Sequence, residues 1–380
     1  MRNLLLTALA VATTASADDV LMYVGTFDRG PYVATVDTEF GQVSDLRKAA
    51  DLDRPSFVAI SPISRSLYSV AAKDGGSEVV AFRMAANGDL TELNRQDAGG
   101  PGACHVCVSP NGRAVFTANY SGGQVASYRV ARDGSLEKRV TVVTHEGGSG
   151  VNAKRQEAAH PHSVNVSPDG RHLYVCDLGQ DRIAIYDINP KTFAIKPSAP
   201  PETKTPPGGG PRHLSFSPDF RYAAANMELT GDVVLYAWDR KTGGLTQIDV
   251  ASSVPKFEGD VANKSAECLF APIASSPGVS YGDAQLVYVT NRGADTDLAT
   301  MMVQDGRLSF HSGAGFDVVE TPRGFGVTRD GRFAVICGQD NDRIQALRLT
   351  QGSANNVGSF YRVPKPVNVR FVESPAAPAG

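Results

Sequence analysis

A short strand pattern, in which apolar residues close on small or polar ones, returns at even intervals along the chain. Its copies run from Tyr23 to Thr26, Leu67 to Val70, Val115 to Asn119, Leu173 to Asp177, Tyr222 to Asn226, Val287 to Asn291 and Phe333 to Cys337. Between Tyr23 and Phe333 lie 310 positions in six intervals, a period of about 52 residues. Helical solenoids repeat more tightly, whereas a four-stranded propeller blade needs about this length.

Most copies share one local setting. An alternating strand leads into a turn, Ser109-Pro110-Asn111-Gly112, Ser167-Pro168-Asp169-Gly170, Ser217-Pro218-Asp219-Phe220 or Arg329-Asp330-Gly331, and the repeated strand follows. Proline presets φ and Asn or Asp with Gly supplies the turn, so each unit reads as a hairpin. Third strands are expected over Gln124 to Val130, Arg182 to Ile188, Val233 to Trp238 and Arg343 to Leu349. Fourth strands are expected over Leu136 to Val143 and Leu245 to Val250. Four antiparallel strands, seven times, predict an all-β chain folded as a seven-bladed β-propeller over residues 18–373. The first repeat lacks the proline-turn hairpin, while Pro366 to Val372 is an orphan strand. The two are expected to share a blade and close the ring, removing an open edge. Residues 374–380 read as a loose tail. Gly147 to Ala159, Pro197 to Gly210, and Phe257 to Lys264 with Ala271 to Asp283 interrupt the repeat and read as surface loops. The first of these loops stands just ahead of a histidine pair, where it can reshape the nearby mouth of the ring.

The N-terminus breaks the pattern. Arg2, the apolar run Leu4 to Val11 and Ala15-Ser16-Ala17 make a secretory leader over residues 1–17, with mature protein starting near Asp18. A periplasmic or secreted location follows as the expectation. The run is too short to span a bilayer, and no later segment is apolar for long enough. Formal net charge is −3 with both signs interspersed, which leaves no basic stripe for nucleic acid. Gly (38) and Pro (23) fit many tight turns. Five cysteines, Cys104, Cys107, Cys176, Cys268 and Cys337, do not make a complete disulfide framework. Strand alternation sends Cys104 and Cys107 to opposite faces, so both are expected unpaired.

In a blade the first strand is innermost and the second returns beside it. Residues just before the first strand and just after the second therefore ring one mouth of the central channel. Those positions hold His105 and Asn119, then His160, His162 and Asp177, then Arg212, His213, Asn226 and Glu228. Glu267, Asn291 and Arg292, and finally Arg323 and Gln339, complete the set. Asn119, Asp177, Asn226 and Asn291 fit either a ligand site or the pairing of backbone groups at turns. Three arginines and several histidines on one rim call for an anionic partner.

Several segments resemble the 6-phosphogluconolactonase and carboxymuconate-cyclase family of propellers. They are Gly102-Ala103-Cys104-His105-Val106, His160-Pro161-His162-Ser163-Val164, Gly210-Pro211-Arg212-His213-Leu214, Asn226-Met227-Glu228-Leu229, Asn291-Arg292-Gly293, Thr321-Pro322-Arg323-Gly324-Phe325 and Gly338-Gln339. The resemblance covers essentially the whole chain after the leader, in the same blade order. It implies a lactone site with His160, His162, Glu228 and Arg292 as catalytic candidates. His105, Arg212, His213, Glu267, Arg323 and Gln339 are the substrate-binding candidates. Lactone hydrolysis needs an activated water, a stabilised oxyanion and a proton for the leaving alkoxide. Glu228 is the candidate base, with His160 or His162 as rival or proton donor. Arg292 suits the oxyanion, and Arg212 and Arg323 the anionic group. No metal or other cofactor is expected, because a calcium site needs a cage of oxygens and three arginines would repel the ion. The expected partner is a small anionic lactone, with neither nucleic acid nor membrane, and the chain is expected to be a monomer. A ring-forming carboxymuconate-type lyase would use the same residues, and a non-catalytic ligand-binding or scaffold propeller is the third class.

Overall fold

In the computed structural model the chain is described over residues 19–254, 264–273, 282–293, 296–316, 318–350 and 352–372. The expected leader, the tail over 374–380 and most of the insertion in the fifth blade lie outside these residues. The repeat becomes seven four-stranded antiparallel sheets. Numbering blades from the first that is continuous in sequence, blade 2 consists of Ala103–Val108, Ala114–Asn119, Gln124–Val130 and Leu136–Thr144. Blade 3 spans 161–204, blade 4 spans 211–252, blade 5 begins with Lys264–Ala271, and blade 6 begins with Pro322–Val327. Blade 7 combines both ends of the chain: Pro366–Phe371 forms its inner strand against Asp19–Thr26. That explains the missing hairpin, since no chain connects those two strands directly. The expected third strands appear at their predicted places, with one-residue extensions in blades 4 and 6.

First strands touch their neighbours all round the ring, including Pro366–Phe371 against Val58–Ile60, so the ring is closed. Asn368 clasps it by accepting a 3.1 Å hydrogen bond from the Val58 N–H. The core is not one mass but seven apolar clusters, each filling the gap between adjacent blades. Buried second-strand tyrosines tie blade to blade. Tyr23, Tyr68 and Tyr174 each donate from the hydroxyl to a glycine carbonyl of the next blade's outer turn, Gly88, Gly134 and Gly243, at 2.7–2.9 Å.

The proline-type turns behave as the sequence suggests. The fourth turn residue donates back to the carbonyl of Ser109, Ser167, Ser217 or Thr328 at 2.8–2.9 Å. That residue is left-handed in each case: Gly112 (φ 66°), Gly170 (φ 73°), Gly331 (φ 70°) and Phe220 (φ 59°). Phe220 is the one that carries a side chain against its backbone preference. Among the described residues, the sole helical element is a single 3-10 turn at Leu178–Gln180, and no helix is long and apolar enough to cross a membrane.

Candidate active site

A β-bulge repeats at the same place in the first strands and decides what faces the channel. In blade 2, Ala103 pairs with Asn119 and His105 with Ala118, leaving Cys104 as the extra residue. The same break leaves His162 in blade 3, Arg212 in blade 4 and Arg323 in blade 6 unpaired in their ladders. A bulge re-aims its extra side chain and interrupts the strict alternation of faces. Consecutive residues can therefore both reach the channel, one toward each end.

The predicted set accordingly divides between two cavities. His162, Glu228, Arg292 and Arg323 line one of about 640 Å³ at the entry end of the first strands. His105, His213 and Glu267 line another, of about 430 Å³, at the exit end. This corrects the single-rim expectation: Cys104 faces the first cavity and His105 the second, because Cys104 is the bulged residue. The two are back to back, with the His162 and His213 ring centroids 5.4 Å apart. His160 lines neither cavity. It stacks on Tyr120 at 4.3 Å, its Nε2 is 3.1 Å from Glu157 Oε1, and its N–H donates to Asp177 Oδ1. Gln339 lies outside the wall and accepts from Arg323 Nη1 at 3.4 Å.

Glu228 is the centre of the first cavity. Its Oε1 accepts from Arg155 Nη2 at 2.7 Å, and its Oε2 from Arg212 Nε at 2.8 Å. Arg292 Nη2 is 3.4 Å and His162 Nε2 3.9 Å from that second oxygen. Burial pushes the Glu228 carboxyl up, but Arg292, Arg212 and Arg155 outweigh it and hold it at about 2. A drop from 4.5 to about 2 corresponds to about 3 kcal/mol of preference for the charged form. Burial, then Arg212, His213 and Arg323, hold the His162 imidazole well below 6.5, so the ring is neutral.

The walls carry five cations, Arg54, Arg155, Lys264, Arg292 and Arg323, against one carboxylate, Glu228, among the described residues. Burial and crowding by Arg212 and Arg292 lower Arg323 to about 9, and burial with Arg212 lowers Arg292 to about 10. Guanidinium groups stay charged at neutral pH, so both remain cations, buried beside other cations. Arg323 has no carboxylate within ion-pair distance among the described residues. It lies over the Phe27 ring at 4.9 Å, and Arg54 lies over the same ring at 5.5 Å.

Sequence reasoning missed Arg155, Tyr120, Arg54, Phe27 and Lys264. Arg155 had a signal, since it sits in the Gly147 to Ala159 loop ahead of the histidine pair. The four turn-like residues satisfy local groups. Asn119 donates to Ala98 O, and Asn226 accepts from His213 N–H and donates to Ser265 Oγ. Asn291 donates to Asp297 Oδ1. Asp177 holds buried His145 through a 2.5 Å contact to Nδ1. All five cysteines are free; Cys104 Sγ donates to His162 O at 3.2 Å. Among the described residues no group of three or more His, Cys, Asp or Glu side chains is arranged to hold a metal ion.

Residues 21–371 match the model of the seven-bladed β-propeller lactonases. The chain belongs to that family. It is 31% identical to the 6-phosphogluconolactonase of Bacillus subtilis, over 92% of this chain and 97% of the relative. It is 28% identical to a 6-phosphogluconolactonase of Formosa agariphila, over 86% and 92% of the two chains. The periplasmic gluconolactonase of Pseudomonas aeruginosa superposes with a TM-score of 0.83 at 29% identity, covering 93% of this chain and 99% of that one. Family and relatives together make the chain a lactonase-like hydrolase, with a small lactone as its substrate class.

Proposed function

We propose that the chain hydrolyses the ring ester of an anionic sugar lactone in the Glu228 cavity, outside the cytoplasm. The observation that carries this reading is the charge balance of the wall, five cations around one carboxylate. Neutral, polyhydroxylated lactones alone would leave that excess unanswered, whereas a phosphate or carboxylate on the substrate neutralises it. The leader-like N-terminus and the periplasmic relative support the location.

In this mechanism Arg323, with Arg54 beside it, anchors the anionic group. The ring carbonyl then lies toward Arg292, whose guanidinium meets the oxyanion as water adds. His162 takes the proton from that water and returns one to the departing ring oxygen. Glu228 remains ionised throughout and stabilises the imidazolium that forms 3.9 Å away. Both Glu228 oxygens are already taken up by Arg155 and Arg212, which favours His162 over Glu228 for proton transfer. An anionic substrate also offsets Arg323, one of the charges that depress His162, so the base strengthens as the substrate seats. No step calls for a metal ion. Proton release from 6-phosphogluconolactone and from gluconolactone, followed by pH-stat with and without chelator, tests the reading. A higher kcat/KM for the phosphorylated lactone, unchanged by chelator, is expected; equal values for the two lactones would remove the anion anchor.

A further inference from the structure

The exit-end cavity takes no part in that chemistry, yet it is built around buried charge. Glu267 is 2% exposed there. Its Oε1 lies 2.7 Å from His213 Nδ1 and accepts from the Cys268 N–H at 3.3 Å. Its Oε2 is 3.9 Å from Arg370 Nη2, beyond hydrogen-bond reach. Arg370 gives a 2.8 Å hydrogen bond to its own strand at Val369 O, and its guanidinium lies over Phe57 at 4.8 Å. A guanidinium has five donors, so this one is only loosely answered. Phe57, Leu214, Phe216, Leu269 and Phe371 supply apolar walls around it.

We infer that this cavity is a second ligand site, for a small aromatic monocarboxylate. The carboxylate would meet the Arg370 fork, and the ring would stack among Phe57, Phe216 and Phe371. Charge and polarity select the class. Burial keeps His105 and His213 neutral, which among the described wall residues leaves one cation and one carboxylate, Glu267, and the latter would repel a dianion. Phe57, Phe216 and Phe371 offer a polyol no hydrogen-bond partners, so a phosphorylated sugar acid suits the Glu228 cavity and not this one. A volume of about 430 Å³ falls within the range of small-molecule sites.

Isothermal titration of the full mature chain with phenylacetate tests the site without reference to catalysis. One equivalent is expected to bind. Arg370→Gln should weaken binding at least about tenfold, and Asn165→Trp, which fills the cavity from its wall, should abolish it. Arg323→Ala, in the other cavity, should leave binding unchanged, and gluconate should not compete. Circular dichroism melts establish that each variant is folded, and Asn165→Trp carries the test if Arg370→Gln is not. Absence of binding to the folded wild type, or binding that survives Asn165→Trp, would overturn the assignment.

Discussion

Arg155 Nη2 lies 2.7 Å from Glu228 Oε1, joining residues 73 positions apart in the chain. The loop that delivers Arg155 is fixed by its neighbour: Gln156 Nε2 donates to Asp181 Oδ1 at 2.6 Å and to Leu178 O at 3.0 Å. Asp181 also accepts from the Gly208 and Gly210 N–H groups, so the anchor spans two blades. The cation is therefore in place before any substrate arrives, which is preorganisation rather than closure.

Arg155→Ala removes a charge-assisted hydrogen bond of about 1.5–3 kcal/mol. Steady-state kinetics should show kcat/KM falling about 10- to 100-fold, and the melting temperature should fall by a few degrees. Wild-type kinetics in this variant would take Arg155 out of the site.

Acid should weaken the fold in two stages. The folded His162 sits below its unfolded value of 6.5, so its contribution is present above that pH and is lost as pH falls below it. Glu228 is depressed from 4.5 to about 2, so its contribution is present above 4.5 and is lost between those values. Calorimetric melting temperatures measured from neutral to acid pH should fall in both windows. Glu228→Gln should lower stability at neutral pH by leaving Arg155 and Arg212 unpaired, and should flatten the acid stage. An unchanged slope below pH 4.5 in that variant would contradict the ion-pair account.

The architecture was legible because its causes are local. A period of about 52 residues, Pro-Asp-Gly turns and the orphan strand at Pro366 follow from alternation and turn chemistry, which act over a few residues. The bulges were not legible. Nothing in Gly102-Ala103-Cys104-His105 announces an extra residue, and without it His105 and His213 were assigned to the wrong end of the channel. Arg155 escaped because its partner lies on another blade. The three-arginine setting of Glu228 likewise depends on contacts across blades, so the sequence left Glu228 and the histidines as rival bases.

Arg323 and Arg292 should separate binding from chemistry. Arg323 has no carboxylate partner among the described residues, and Arg323→Ala should chiefly raise KM. Arg292 stands beside Glu228, and Arg292→Ala should lower kcat by about 10² or more, as loss of an oxyanion donor does. The reverse pattern would exchange the two roles.

Closure should be indispensable to folding. Val367 and Val369 are buried, and Asn368 bonds across to blade 1. Ending the chain at Lys365 exposes the edge of Asp19–Thr26 and opens the ring. Such a chain should lose cooperative thermal unfolding and aggregate; a monomeric product with the parent melting transition would show that closure is dispensable.

The central claim is that His162, beside an ionised Glu228, moves the proton in lactone hydrolysis. The direct measurement is kcat/KM for 6-phosphogluconolactone against pH, by pH-stat, in wild type and His162→Ala. The wild-type acid limb should lie below pH 6.5, where the depressed imidazole of the free protein titrates. His162→Ala should lose about 10²–10⁴ of the rate together with that limb. A His162→Ala protein that keeps both the rate and the limb would contradict the account.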